Sequence, residues 1–463
     1  MIFINRKREL AVLNKWWGAK AAGHKSQAVL AVFYGKRRVG KTSLCLEFAK
    51  NKPHVYFLAD KLNMALQLRK LSQQIGAFYE DDYVADYGFE DWEQLFAYIG
   101  GKKKKMVLII DEFPYLVEAD PAITSVFQKG WDLYLSKSPV YLILCGSSIG
   151  MMEKHVLSYK APLFGRRTGQ ILVKPFSFFE LYEIFPKLSF EKKMLIYSVA
   201  GGTISYLKQF IGSNNIFKTI GEKLLSKEEF LYEEVEFLLK EELREPRNYF
   251  SILRSIANGK RKLSEIVNDS GFDTSASTVY LGTLNDLFIT EREVTVTEKM
   301  PGKSRKGLYR ITDNFFNFWF NYVFRYKNYI EEGKSDFVLG KIKASVVDIL
   351  AKSYEEFARA FVREKIKSDF ESVGRWWDND NEIDLVAINS TGKKILFGEV
   401  KWSNKQVGTN IFMELKEKAK KVDWFLKNRK ERYVLFSKSG FTRDMIKLAK
   451  NEKVMLVHQD RIV

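Results

Sequence analysis

The sequence predicts an α/β fold over residues 1–210, and three observations predict it. Strand-length apolar runs alternate there with amphipathic helical stretches. A glycine-bounded basic loop follows the first run. An Asp-Glu pair closes the third.

The first run, 28–34, is continuously apolar, as a strand buried on both faces is. Gly35-Lys36-Arg37-Arg38-Val39-Gly40-Lys41-Thr42 follows it and matches G-x-x-x-x-G-K-[ST] in full; a helix is expected over 43–50, opening at Ser43. Glycines let backbone N–H groups curl around phosphate oxygens, and the helix N-terminus favours anions. Residues 35–43 therefore form the expected nucleotide-binding loop, with Lys41 reaching the β- and γ-phosphates and Thr42 ligating Mg²⁺. Further strands are expected at 55–58, 106–110, 141–145 and 170–173. The 106–110 run delivers Asp111 to its carboxyl end, where open α/β sheets bind ligands. Asp111 suits the Mg²⁺ shell, and Glu112 suits the base that activates water for attack on the γ-phosphate. The 141–145 run ends in Gly146-Ser147-Ser148, where a hydroxyl can sense the γ-phosphate or simply make a turn. Gly165-Arg166-Arg167-Thr168 sets two arginines before the last strand. An arginine finger, in cis or on a neighbouring copy of a homo-oligomer, and a surface salt bridge both remain open.

The character changes downstream. Residues 211–245 read as mixed-charge helix, chiefly 226–242. Helices at 249–258, 263–269 and 275–287 precede β-type alternation over 289–297, a basic turn Pro301-Gly302-Lys303-Ser304-Arg305-Lys306-Gly307 and a strand at 308–311. That is the order of a winged helix-turn-helix, so 211–312 is expected as helical linker and winged helix. Residues 313–344 connect, and their 315–329 run is dense in aromatics at helical spacing. Core packing or a domain interface is the leading use, with a base-stacking platform as the alternative. The last part, 345–463, offers a helix at 347–367, strands at 383–388 and 395–401, a helix at 413–427 and a strand at 433–436.

This part carries the second constellation. Asn379-Asp380-Asn381-Glu382-Ile383-Asp384 leads into one strand, and Phe397-Gly398-Glu399-Val400-Lys401 lies on the next. Glu399 and Lys401 share a face. Asp384 and Glu399 can hold Mg²⁺ through oxygen, and Lys401 can orient water or stabilise developing charge. An ordinary cross-strand ion pair explains the spacing alone; the helix–strand–turn–strand order is what resembles the PD-(D/E)xK nuclease core. Glu355 either completes the metal shell or is a solvated helix residue.

Composition sets the outer bounds. A length of 463 residues suggests about three domains. The net charge of +18 fits an anionic partner such as DNA and a merely solvated basic surface about equally well. Residues 341–463 hold 26 Lys and Arg against 18 Asp and Glu, so the surplus is spread along the chain. No run approaches the ~18 apolar residues of a membrane span, and the N-terminus lacks the order of a signal peptide. Cys45 and Cys145 fall in expected core elements, with no disulfide or zinc framework. A cytoplasmic protein with no membrane contact is expected.

These motifs together resemble a family: archaeal and bacterial-type P-loop ATPases, STAND-related and AAA+-like, with a C-terminal DUF234 domain. The matching residues are Phe3-Ile4-Asn5-Arg6-Lys7-Arg8-Glu9-Leu10, the 35–42 loop, Asp111-Glu112-Phe113-Pro114-Tyr115-Leu116, Gly146-Ser147-Ser148, Leu163-Phe164-Gly165-Arg166-Arg167-Thr168, Lys174-Pro175-Phe176-Ser177 and Glu245-Pro246-Arg247-Asn248-Tyr249-Phe250. The resemblance covers essentially the whole chain. It implies a P-loop NTPase parallel sheet, then the helical and winged-helix region, then a small α/β restriction-endonuclease-like domain. It implies too that Asn5 and Arg6 hold the adenine side of the nucleotide. The family often reads Gly-Gly-x-Pro-x-Tyr-Leu where this chain has Gly201-Gly202-Thr203-Ile204-Ser205-Tyr206-Leu207, a departure that bears on how nucleotide state reaches the next domain. The expected function is Mg²⁺-dependent ATP hydrolysis coupled to a DNA-binding or nuclease-like module. The alternatives are an ATP-regulated metal-dependent DNA endonuclease and a nucleotide-switched DNA-binding regulator.

Overall fold

The computed structural model describes residues 3–18, 28–304, 306–366, 369–378 and 380–463. Arg305, Lys367 and Asn379, named above, lie outside the described residues. The chain forms two compact units, residues 1–184 with 203–205, and 185–202 with 206–463.

The first unit is a five-stranded parallel sheet. Its strands are β1 (Val29–Tyr34), β2 (His54–Leu58), β3 (Met106–Asp111), β4 (Val140–Gly146) and β5 (Gly169–Leu172), in the order β2-β3-β4-β1-β5. Every residue of β1, β3 and β4 is buried, which is why these strands read as unbroken apolar runs. Val29, Ala31 and Phe33 pack with Val107, Ile109, Tyr141 and Ile143 against Leu13 of the Lys7–Gly18 helix and against Leu44 and Phe48 of the Lys41–Ala49 helix. That apolar layer holds the carboxyl ends of β1, β3 and β4 side by side. Because β4 lies between β1 and β3, the β4 end stands between the loop after β1 and the carboxylates after β3.

The second unit begins with helices. Pro246–Ala257, Leu263–Ser270 and Thr274–Asp286 are followed by an antiparallel pair, β6 (Thr290–Glu293) and β7 (Leu308–Ile311). The alternation expected over 289–297 yields only the shorter β6; farther on, Val296 N–H donates instead to the Arg375 carbonyl at 3.0 Å. The aromatic run packs inward: Phe315, Phe316, Phe318, Trp319 and Phe320 are all buried, and Trp319 Nε1 donates to the Tyr232 carbonyl at 2.7 Å.

A six-stranded mixed sheet completes this unit: β8 (Ser372–Trp377), β9 (Glu382–Asn389), β10 (Lys394–Lys401), β11 (Lys430–Ser437), β12 (Met455–His458) and β13 (Arg461–Ile462), in the order β13-β12-β11-β10-β9-β8. β8, β9 and β10 run antiparallel, while β10, β11 and β12 run parallel. The Val346–Lys365 helix covers one face, with Tyr354 and Phe361 on Phe436. The Thr409–Lys420 helix covers the other, with Phe412 and Leu415 in one cluster with Phe397 and Leu435. It stops at Lys420 rather than near 427, because Arg429 donates to the carbonyls of Ala419 and Val422, which further helical turns would need. No helix among the described residues is long and apolar enough to cross a membrane.

Candidate functional site

The loop after β1 is shaped by its glycines. Gly35 has φ +146° and Gly40 φ +94°, and a Cβ on Gly35 would stand 2.4 Å from the Val173 carbonyl oxygen. Arg38, also at positive φ, completes the curl. Arg6 braces it from outside: its Nη2 donates to the Val39 carbonyl at 2.9 Å and to the Lys174 carbonyl at 2.8 Å, and its guanidinium lies 4.2 Å from the Phe176 ring centre. Burial lowers the Arg6 pKa, and the adjacent Glu9 opposes that shift. Asn5 Oδ1 accepts weakly from Lys7 N–H at 3.4 Å. Arg37 Nη2 donates to the Tyr115 hydroxyl at 3.3 Å, the Arg38 carbonyl accepts from Ser205 Oγ, and Ser43 is half-buried on the first helical turn. Lys36 contributes its carbonyl. Lys41, 5% exposed, donates to the Gly35 and Lys36 carbonyls at 2.9 Å each.

Thr42 Oγ1 donates to Asp111 Oδ2 at 2.6 Å. Tyr56 of β2 donates to the same oxygen at 3.0 Å, and burial with that carboxylate pushes its phenol pKa up. Sequence reasoning missed Tyr56, since nothing in the chain order says that β2 borders β3. Glu112, at φ +52°, turns back to β4: its Oε2 accepts from Ser147 Oγ at 2.7 Å and Ser147 N–H at 3.2 Å. Cys45 and Cys145 are buried free thiols, and their mutual contact together with burial raises the Cys145 pKa. Arg166 is held by Asp132, through Nε at 3.1 Å and Nη2 at 2.9 Å, while Arg167 donates to the Leu157 carbonyl at 3.0 Å. Both contacts lie within the chain.

The second constellation assembles at β9 and β10. Leu385 lies opposite Gly398, so Asp384 faces Glu399 one step along. Asp384 Oδ2 accepts from Val400 N–H at 2.9 Å, and its carbonyl accepts from Arg359 Nη1 at 2.9 Å. Lys401 Nζ donates to Glu399 at 2.7 Å. Lys418, on the Thr409–Lys420 helix, adds a second ammonium at 3.3 Å from both Glu399 oxygens. Sequence reasoning did not single it out. Its one signal is the spacing Phe412, Leu415 and Ala419, which turns this helix to the sheet and leaves Lys418 at the seam. Burial and then Glu399 raise the Asp384 pKa. For Lys401 burial lowers the pKa, but Glu399 prevails and the net shift is upward.

Glu399 shares the face of Leu435, whereas Glu355 stands on the helix that packs against Phe436 on the opposite face. Among the described residues no group of three or more His, Cys, Asp or Glu side chains is close enough to hold a metal ion. Glu355 nevertheless feels Asp384. Burial first and Asp384 second push its carboxyl to about 7. The folded chain then keeps a proton that the unfolded chain releases near pH 4.5, so stability should fall as pH rises from there to about 7. Without added metal, Glu355→Gln should remove that slope and raise stability above pH 7, by up to roughly 3 kcal/mol. Urea melts at several pH values would reveal it; an unchanged slope would mean that Glu355 ionises normally.

The chain is similar to known proteins in sequence and in fold. A family model described as "ATPase domain predominantly from Archaea" matches residues 3–210. A second, "Archaea bacterial proteins of unknown function" (DUF234), matches residues 319–422. Uncharacterized protein MJECL04 of Methanocaldococcus jannaschii is 38% identical over 408 residues, 87% of this chain and 88% of that one. Uncharacterized ATP-binding protein MJ0423 of the same organism is 42% identical over 52 residues, 11% of this chain and 78% of that one. The fold resembles the Walker-type ATPase PABY2304 of Pyrococcus abyssi, with TM-score 0.51 and 19% identity over 69% of this chain and 96% of that one. A phosphate loop on a five-stranded parallel sheet, a family match across that sheet and a relative spanning most of the chain agree: the chain belongs to the same family as MJECL04, as an ATP-binding, archaeal-type P-loop ATPase with a C-terminal DUF234 domain.

Proposed function

We propose that the protein hydrolyses ATP with Mg²⁺ at residues 35–43, Asp111 and Glu112, and that nucleotide state governs a C-terminal module acting on DNA. The observation that carries the first half is the 2.6 Å bond between Thr42 Oγ1 and Asp111 Oδ2. A hydroxyl from the first turn of the Lys41–Ala49 helix and a carboxylate from the end of β3 converge there, an oxygen pair that fits Mg²⁺. When bound, Mg²⁺ supplies charge neutralisation at the β- and γ-phosphates. Lys41 exchanges its two carbonyl acceptors for phosphate oxygens, which the loop N–H groups and the helix N-terminus also hold. Glu112 takes the proton of the attacking water, and Ser147 positions its carboxylate. Arg6 acts through Val39 as a positioning residue, and Asn5 with Arg6 borders the adenine side.

The second half rests on Asp384 and Glu399 facing each other with Lys401 alongside. Two facing carboxylates, with Asp384 raised in pKa by burial and then by Glu399, suit a divalent cation. A metal held there supplies an activated water for phosphodiester hydrolysis. Lys401 and Lys418 then steady the charge that develops on the phosphate. The three helices and hairpin over 246–311 support a winged-helix reading, with Lys303 and Lys306 meeting phosphates. Residues 203–205 belong to the ATPase unit and the chain after them to the other, so nucleotide state passes through this segment. Ile204 opens the short helix Ile204–Leu207 where the family has proline; proline also suits a first helical position, so the segment keeps its form.

The test is phosphate release run beside plasmid nicking on the full chain. Mg²⁺-dependent phosphate release, with nicking that changes when ATP is added, is expected. No phosphate release would end the first half. No cleavage with Mg²⁺ or Mn²⁺ under any nucleotide condition would end the second.

A further inference from the structure

The second unit contains a polar cavity of about 540 Å³ that neither candidate site uses. Its size lies within the range of small-ligand sites, ~300–1,000 Å³. Its walls come from the Pro246–Ala257 helix, β7, the aromatic run, the Val346–Lys365 helix and β8.

One end is rich in donors. Arg261, Arg310, Arg359 and Arg375 line it, and Lys352 stands between them and Asp348, one helical turn from the latter. Carboxylates take only some of their N–H groups. Glu291 and Glu356 both pair with Arg310. Glu293 is shared between Arg261 at 3.3 Å and Arg375 at 3.2 Å. Glu355 comes no closer than 3.8 Å to Arg359. Arg375 also pairs with Glu382, yet its buried Nε has no hydrogen-bond partner, and its side chain is 10% exposed. Lys352 is exposed and has no hydrogen bond or ion pair among the described residues. Burial and then the neighbouring Arg375 lower the Arg261 pKa, whereas for Arg310 burial is outweighed by Glu356 and Glu291 and the net shift is upward. A planar guanidinium has five N–H donors and matches phosphate oxygens two at a time.

The other end is different. Tyr322, whose hydroxyl lies 2.7 Å from Ser345 Oγ, fixes it at the N-terminus of the Val346–Lys365 helix. Asp348 and Arg359 are eleven residues apart on that helix, roughly 16 Å. Asp348 has no hydrogen-bond donor among the described residues, and Asn317 accepts from Asn321 while its own amide N–H₂ has no acceptor among them. Phe318 and Ile349 supply apolar wall. A phosphate between Lys352 and the arginines, ribose hydroxyls on Asp348 one turn from Lys352, and a base against Phe318 and Asn317 would use these groups. We propose that the cavity binds a nucleoside phosphate, as a free nucleotide or as one residue of a nucleic-acid strand, separately from the P-loop.

The test uses the full chain carrying Lys41→Ala, which weakens the P-loop, titrated calorimetrically with AMP and with a 5′-phosphorylated tetranucleotide. Binding of one equivalent of either probe is expected, and the probe that binds identifies the source. Lys352→Ala, at an exposed position, should weaken that binding several-fold. Arg375→Lys keeps the charge but loses the Nε donor, and should weaken it about tenfold or more. The idea is overturned if neither probe binds at millimolar concentration while the protein melts as the parent does. It is equally overturned if binding ignores Lys352→Ala in a normally melting protein. None of these outcomes depends on DNA cleavage.

Discussion

ATP turnover by the Lys41→Ala protein is expected to fall by at least about a thousandfold, with the fold intact. Removing one preorganised donor from a transition state costs about 10²–10³ in rate. Lys41 brings a full charge as well, from a position 5% exposed, where water screens little of its field. Its charge meets the phosphates in the ground state and the transition state, so nucleotide affinity should fall with turnover. The fold has less to lose. The two bonds from Nζ to the Gly35 and Lys36 carbonyls are worth about 0.5–1.5 kcal/mol each. Leu44, Cys45 and Phe48 hold the same helix from the core side. Phosphate release at saturating ATP, read beside a thermal melt, separates the two effects. Turnover within about tenfold of the parent, in a protein that melts normally, would remove Lys41 from the mechanism.

The ATPase sheet was legible because of how parallel strands are buried. With both faces covered, β1, β3 and β4 read as unbroken apolar runs, and the described strand ends fall within a residue or two of those expected. Sheet order was not legible. Chain order does not say that β4 inserts between β1 and β3, so the sequence could offer Ser147 only as a phosphate sensor or a turn. The insertion puts its hydroxyl on Glu112 instead. Tyr56 escaped for the same reason. In the C-terminal sheet β8 was unread because Gly374 and Arg375 interrupt its alternation, and the register shifts between Gly374 and Trp376. The cavity was beyond reach of a sequence reading, since segments from Ser198 to Glu382, far apart in the chain, supply its walls. Arg375 serves it from within that unread strand, and Arg261 from the turn before Leu263.

Asp384→Asn should abolish metal-dependent DNA cleavage while leaving the protein as stable as the parent or more so. The two results together distinguish a reactive site from an ion pair that merely holds strands together. The asparagine carbonyl can still accept from Val400 N–H, now 2.9 Å from Oδ2, and the backbone carbonyl keeps its bond from Arg359. What disappears is one negative charge on a half-buried carboxyl that faces Glu399; burial and then Glu399 raise its pKa. A raised carboxyl pKa means that the folded chain holds its proton more tightly than the unfolded chain does. Ionised Asp384 therefore subtracts stability as pH rises, and neutral asparagine does not. Alanine would confuse matters, since an unpaired buried N–H at Val400 costs roughly 1–3 kcal/mol by itself. Glu399 stays neutralised by Lys401 and Lys418 in the variant, so no second buried charge is stranded. A structural carboxylate would behave oppositely, with stability falling and cleavage following only as far as folding fails. If the asparagine variant loses stability and retains cleavage in proportion to its folded fraction, Asp384 braces the sheet and the reaction, if there is one, lies elsewhere.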